Sequence, residues 1–251
     1  MTDPLPTIAV IGGTGAEGSG LALRWALAGY PVIVGSRDAA RAEDAAAEIE
    51  ARARAFGAGI DDSLDAAEVA RRMARPRTDD PTLCGMENAD AAESCHIAVL
   101  AVPLSAQAPT LETIRAQVQG KILVDVTAPL KPPRVGTVQL PPCGSAVVAA
   151  QEMLGEGVRV VSAFQNIASA HLAEPDHEID CDVLVCGDDR AAREIVIGLA
   201  EAAGMRGWHA GPLANSAAAE ALTSVLISIN RAYKIAGAGI RITGVPRRED
   251  G

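Results

Sequence analysis

The sequence predicts a doubly wound α/β fold, a parallel sheet with helices on both faces, followed by a small, mainly helical C-terminal domain. Three observations carry this. Short runs of Ile, Val and Leu alternate with alanine-rich stretches of helical pattern along the chain. The first run ends in a glycine cluster that opens a helix. The run His96-Ile97-Ala98-Val99-Leu100-Ala101-Val102-Pro103 is almost wholly apolar, as central parallel strands covered on both faces are.

Ile8-Ala9-Val10-Ile11 reads as a short buried strand, and Leu21-Ala22-Leu23-Arg24-Trp25-Ala26-Leu27 as the start of a helix. Between them Gly13-Thr14-Gly15-Ala16-Glu17-Gly18 fits G-x-G-x-x-G, and Gly12, Gly15 and Gly18 fit G-x-x-G-x-x-G. Glycine here allows a tight turn, leaves bare backbone for a pyrophosphate and lets helix and strand pack closely. The unpaired N–H groups at the helix start then receive phosphate charge. Gly12, Gly13, Thr14, Gly15, Ala16, Glu17 and Gly18 are therefore candidate cofactor contacts, against the alternative of a glycine-rich turn with no ligand. Glu17 suits a first helical turn but would repel a phosphate if it pointed inward, so it is expected to face solvent.

Pro31-Val32-Ile33-Val34-Gly35 reads as the second strand, where a fold of this kind meets the adenosine ribose. An NAD site places a carboxylate there to accept from the ribose hydroxyls. This chain has Ser36-Arg37, with Arg41 one helical turn on, and a hydroxyl with two guanidiniums suits the extra phosphate of NADP. The alternative is a pair of solvated charges at a helix start, where positive charge is slightly unfavourable.

Asp38 to Phe56 is expected to be a long helix, with Glu48/Arg52 and Glu50/Arg54 at i,i+4 and Gly57 and Gly59 ending it. Residues 57–84 read as a polar surface insertion carrying one short helix, 64–74, after a cap at Asp62 or Ser63. Thr110 to Val118 is expected to form the next helix and Lys121 to Thr127 the next strand. Ligands of such sheets sit at the carboxyl ends of strands. That places Ala101, Val102 and Pro103, with Thr127, Ala128 and Pro129, along the cofactor's nicotinamide half.

After a proline-rich excursion, Ser145 to Leu154 reads as helix and Val158 to Ser162 as strand. The rhythm changes there, which divides the chain into a dinucleotide-binding domain, 1–162, and a C-terminal domain, 163–251. In the second, Cys181 to Cys186 is a buried strand, Ala191 to Ala203 a helix, and His171, Pro175 and His177 lie in a loop. The last helix carries Leu222, Val225, Leu226, Ile229 and Tyr233 in one apolar stripe, packed on the sheet or on a second subunit.

The bulk numbers exclude several classes. Aromatic residues make up 2% of the 251, too few for base-stacking platforms. A net charge of -10 opposes duplex nucleic acid and anionic membranes as partners. No apolar run is long enough to span a bilayer. Five cysteines, an odd number without a C-x-x-C pair, suit a reducing, cytoplasmic setting. The histidines His96, His171, His177 and His209 lack a zinc-like spacing, so no metal site is expected.

With these pieces in place the sequence resembles the NADP-dependent oxidoreductases of the deazaflavin coenzyme F420. The resemblance rests on Ile11-Gly12-Gly13-Thr14-Gly15 with Gly18, on Gly20 to Arg24, and on Val34-Gly35-Ser36-Arg37. Further on it rests on Gly85-Met86-Glu87-Asn88 with Asp90-Ala91-Ala92, and on Val161-Ser162-Ala163. Its most specific blocks are Val185-Cys186-Gly187-Asp188-Asp189 and Gly211-Pro212-Leu213 with Asn215-Ser216. The resemblance implies a Rossmann domain, a homodimer, and a deazaflavin ring stacked on the nicotinamide in a cleft between the two domains. It implies that Ser36, Arg37 and Arg41 hold the NADP phosphate, Arg41 standing where Lys is frequent. At Gln165, where some members have His, no ionisable group is available.

The activity expected is reversible hydride transfer between NADP(H) and coenzyme F420, with no protein acid or base and hence no catalytic side chain. Both carriers bring the reactive carbon, so positioning and desolvation are the protein's share. Gln165, Asn166 and Ile167 are the candidate deazaflavin contacts, together with Pro212, Leu213, Asn215 and Ser216. A loop-stabilising role is the alternative for Asn166 and a helix cap for Asn215. Lys131, Arg134, Arg231 and Lys234 are candidates for the coenzyme's acidic tail. Rival readings are an imine or hydroxyacid reductase, a flavin or ferric reductase module and a non-catalytic NADP sensor.

Overall fold

The computed structural model describes residues 4–58 and 82–244. The expected helix at 64–74 lies outside them, as do Gly59 and most of the insertion. Eight strands form one sheet, in the order β3-β2-β1-β4-β5-β6-β7-β8. They are β1 (Ile8–Ile11), β2 (Val32–Ser36), β3 (Leu83–Glu87), β4 (Ile97–Leu100), β5 (Ile122–Asp125), β6 (Arg159–Ser162), β7 (Asp182–Gly187) and β8 (Arg206–His209). Every pairing is parallel except β6 with β7. Among the described residues the helices are α1 (Ala16–Leu27), α2 (Ala39–Ala58), α3 (Asn88–Ser94), α4 (Leu104–Ile114), α5 (Ala146–Leu154), α6 (Ser169–Ala173), α7 (Arg190–Ala202) and α8 (Ser216–Tyr233).

Strand alternation divides the core. Ile8 and Val10 pack with Leu21, Trp25 and Phe164 on one face, while Ala9 and Ile11 pack with Leu111, Ile114 and Val147 on the other. Burial on both faces explains why β1, β4 and β5 carry so few polar residues.

Several boundaries differ from expectation. Leu83 and Cys84 open β3 rather than ending the surface insertion. As an edge strand, β3 needs little apolar content, and Gly85 is there because α2 crosses at backbone contact: a Cβ would strike Ala42 and Glu43. Helix α4 begins at Leu104, capped by Pro103, six residues ahead of the expected start, and carries Pro109 inside it. Pro109 and Ser105 are both exposed, so the carbonyl that loses its donor meets water. Beyond residue 162, β7 and β8 extend the sheet, and β8, an Arg-Gly-Trp-His edge, has no apolar run to betray it. The loop holding His171 includes the short helix α6. Glu50 and Arg54 pair at 2.8 Å as expected, whereas Arg52 donates to the Ala173 carbonyl at 2.5 Å.

The stripe of α8 is divided. Leu226 is buried, but Val225 is 42% and Tyr233 75% exposed. The inward side carries Ser216, Ala219, Glu220 and Ser224 instead.

Candidate functional site

The order β3-β2-β1-β4-β5-β6 reverses between β1 and β4, and the carboxyl ends of those strands flank the place where such folds receive ligands. The glycine loop sits there. Gly12 holds φ at +75°, and a Cβ on it would collide with the Val102 side chain and lie 2.9 Å from the Ala101 carbonyl. A Cβ on Gly18 would lie 2.8 Å from Gly13 Cα. The start of α1, the loop and the Ala101-Val102 turn are thus in direct contact, and only glycine leaves the backbone bare. Gly15 caps α1 from an extended conformation without any side-chain bond, so the first N–H groups of the helix remain available to an anion. Gly15 and Ala16 are exposed, Gly12 and Thr14 half-buried, and Gly13 and Gly18 buried. The chain therefore fits a dinucleotide.

The loop has a support that sequence reasoning did not weigh. Asn88, the first residue of α3 and 5% exposed, accepts from the Gly12 N–H at 3.3 Å through Oδ1. The same oxygen lies 2.9 Å from where a Cβ on Gly35 would be. Asn88 thus ties the loop to the end of β2. Its place in the Gly85 to Asn88 block was the available signal.

At the end of β2, Ser36 is buried and its hydroxyl accepts from the Asp38 N–H at 3.3 Å. Asp38 caps α2, accepting from the Arg41 N–H at 3.1 Å. Arg37 and Arg41 are both exposed and, among the described residues, form no ion pair. This leaves a hydroxyl and two guanidiniums where an NAD site has a carboxylate.

Glu17, expected to face solvent, is only partly exposed. The residue is half-buried, and the charge of Asp125, at the end of β5 two strands away, acts on it. Loss of hydration, then the Asp125 charge, pushes its pKa up to about 8. Asp125 is fully buried, accepts from Gln107 Nε2 at 2.6 Å and from the Thr127 N–H at 2.9 Å, and is itself held above the carboxylate range by burial. A carboxyl group is therefore present where no acid or base was expected.

Along the proposed nicotinamide half, Ala101, Val102 and Ala128 are half-buried and Pro103 is exposed, while Thr127 and Pro129 are buried. Thr127 Oγ1 donates to the Val102 carbonyl at 3.4 Å, joining the ends of β4 and β5. Gln165, Asn166 and Ile167 follow β6 and are all buried. Gln165 Nε2 donates to the Asp125 carbonyl at 2.8 Å and to Ser162 Oγ at 2.9 Å. Gln165 Oε1 and Asn166 Oδ1 are buried acceptors without a partner among the described residues.

The other four expected deazaflavin contacts lie at and just before the start of α8, and Thr223 of that helix donates through Oγ1 to the Gln165 carbonyl at 2.9 Å. The Leu213 N–H donates to Asp188 Oδ1 at 3.0 Å, next to Gly187, whose register partner is Val161. Leu213 is buried, and Pro212 beside it is exposed. Asn215 makes no side-chain cap; its Nδ2 donates to the Ala210 carbonyl at 2.7 Å. Ser216 is fully buried with its hydroxyl 2.7 Å from that of Ser145. Ser145 in turn donates to Glu220 at 2.5 Å, and Glu220 accepts from the N–H groups of Ala146 and Val147. This is the reason for the inward turn of α8: Glu220 caps the start of α5. Among the described residues no cluster of metal ligands occurs, and no helix is long and apolar enough to cross a membrane.

Fold and loop together define a dinucleotide-binding protein of the Rossmann class. The family described as NADP oxidoreductase, coenzyme F420-dependent, matches residues 7–129. The F420-dependent NADP reductase of Methanothermobacter thermautotrophicus is 40% identical over 247 residues, covering 96% of this chain and 97% of that protein. That of Methanocaldococcus jannaschii is 37% identical, covering 95% and 98%. An Arthrobacter sp. FB24 crystal structure, assigned as an F420-dependent NADP reductase, superposes with a TM-score of 0.69 over 95% of this chain and 99% of that one, at 23% identity. The chain belongs to the F420-dependent NADP reductase family.

Proposed function

We infer that this protein transfers hydride reversibly between NADP(H) and the deazaflavin coenzyme F420. The observation that carries this is likeness at 40% identity along nearly the whole of both chains to an enzyme of that name. The site agrees in chemistry. Gly12 to Gly18 offer bare backbone and free N–H groups to the pyrophosphate, and Ser36, Arg37 and Arg41 suit the 2′-phosphate. Ala101 to Pro103 and Thr127 to Pro129 border the nicotinamide half.

The redox change resides in the two carriers, and this chain's part is to hold them, exclude water and set the local charge. Gln165 to Ile167, beside the end of β5, are assigned to the deazaflavin side. An acceptor left unpaired in a buried site costs about 1–3 kcal/mol, which an N–H donor of the ring would offset at Gln165 or Asn166. Pro212, Leu213, Asn215 and Ser216, at the start of α8, are assigned to the same side. The assignment includes residues 1–162 as the NADP half and 163–251 as the deazaflavin and dimerisation half. The exposed Val225 and Tyr233 face of α8 supports a homodimer, and the five unbridged cysteines suit the cytoplasm.

Mixing the protein with NADPH and purified coenzyme F420 tests the reading. Loss of the deazaflavin absorbance is expected. NADPH binding without that loss would favour a sensor, and turnover with FAD or small keto acids instead would favour the rival reductases.

A further inference from the structure

One buried amide lies between the glycine loop and the end of β2. Asn88 directly follows β3, and the register sets Glu87 against Ser36, so Asn88 leaves the sheet beside the point where Arg37 does. Its side chain runs back across β2 to the loop, where Oδ1 accepts from the Gly12 N–H at 3.3 Å. The crossing is open because Gly35 is bare: a Cβ there would lie 2.9 Å from that oxygen. An N–H has to meet the oxygen of a carboxamide, which fixes how the amide is turned. Nδ2, the donor end, has no hydrogen-bond partner among the described residues, although Asn88 is only 5% exposed. A polar side chain this deep is ordinarily satisfied at both ends.

A dinucleotide with its pyrophosphate on Gly12 to Gly18 and its adenosine phosphate at Ser36 must carry the ribose between them past this amide. We propose that Asn88 is a specificity-determining residue: with Oδ1 committed to the Gly12 N–H, Nδ2 donates to an oxygen of the 2′-phosphate of NADP(H). An aspartate would support the loop equally well, but its second oxygen would repel that phosphate and accept from the 2′-hydroxyl of NADH instead. Part of the choice between the two cofactors is thus made from β3, across the strand that carries Ser36 and Arg37. This rests on the assignment of Ser36, Arg37 and Arg41 to the phosphate.

Asn88→Asp is the discriminating variant, because it keeps the acceptor for Gly12 and exchanges only the donor for a charged oxygen. Dissociation constants of NADPH and NADH are measured by titration calorimetry on the full chain, wild type and variant, near neutral pH. NADPH is expected to bind N88D about ten- to a hundredfold more weakly, while NADH stays within about threefold of wild type or tightens. An equal loss for both cofactors would reduce Asn88 to a support of the loop and overturn the proposal, as would an unchanged NADPH affinity. A crystal structure of the wild-type protein with NADP+ decides the point even if N88D does not fold. Nδ2 is expected within about 3.2 Å of a 2′-phosphate oxygen, and an Nδ2 turned away from that phosphate would overturn the proposal. Wild-type protein that binds NADH as tightly as NADPH would instead overturn the phosphate assignment itself, and this inference with it.

Discussion

Phe164 holds its backbone at φ +73° while its ring stands edge-on to Trp25, the centroids 5.8 Å apart at 78°. A bulky residue in the left-handed region costs about 1–3 kcal/mol and persists only when its surroundings fix it. Here Trp25 does so, itself anchored by Nε1 to the Leu199 carbonyl at 2.9 Å. The turn that follows brings Gln165 back to the Asp125 carbonyl. Phe164→Ala is expected to lower stability by about 3–5 kcal/mol, measured by denaturant unfolding. It should also raise KM for F420 more than for NADPH, because the side chains it releases are Gln165 and Asn166.

The proposal assigns cofactor preference to the end of β2. Replacing Arg37 and Arg41 together by Ala is expected to cost NADPH about 1.5–3 kcal/mol for each guanidinium lost. NADH affinity should change little. Dissociation constants for both cofactors, measured side by side, check this, and equal losses would remove the phosphate assignment.

Glu220 bridges α8 to α5. Glu220→Ala strips the N–H groups of Ala146 and Val147 and the Ser145 hydroxyl of their acceptor in a buried place. A loss of about 3 kcal/mol is expected at neutral pH. Glu220→Gln, which keeps one oxygen acceptor, should lose less. Urea midpoints of the two variants against wild type give the comparison.

Glu17 also links pH to stability. Its folded pKa, about 8, lies above the ordinary 4.5, so its contribution is fully present below the ordinary value and is lost as pH rises through 8. Thermal unfolding of wild type and Glu17→Gln without ligand should therefore diverge with pH. The variant is expected to gain steadily between about pH 5 and 8 and to hold a constant advantage above that. A difference that stays level across the whole range would show that Glu17 is solvated like any surface acid.

Much of this was legible before any coordinates. The alternation of apolar runs and alanine-rich stretches sets the βαβ rhythm, because a strand covered on both faces can contain little that is polar. The glycines of the loop were readable because their reason is steric and local. Ser36, Arg37 and Arg41 were readable because their distance from the loop is fixed by one helix and one strand.

What escaped the sequence has a different physical origin. β3 and β8 are edge strands with one neighbour and a mixed composition, so no run of apolar residues marks them. The buried side of α8 carries Glu220 and Ser216 in place of Val225 and Tyr233, since the helix start it caps lies on a different element, some seventy residues earlier. Glu17 looked like a freely solvated charge because Asp125, whose charge acts on it, is distant in the chain and two strands away in the sheet. The sequence by itself determined the fold class, the glycine turn between β1 and α1 and the placing of Ser36, Arg37 and Arg41 at the end of β2, all of which follow from short-range pattern and sterics. Only the tertiary structure decided which polar side chains turn inward and what charge they carry, because desolvation and Coulomb interaction depend on neighbours that no local window contains.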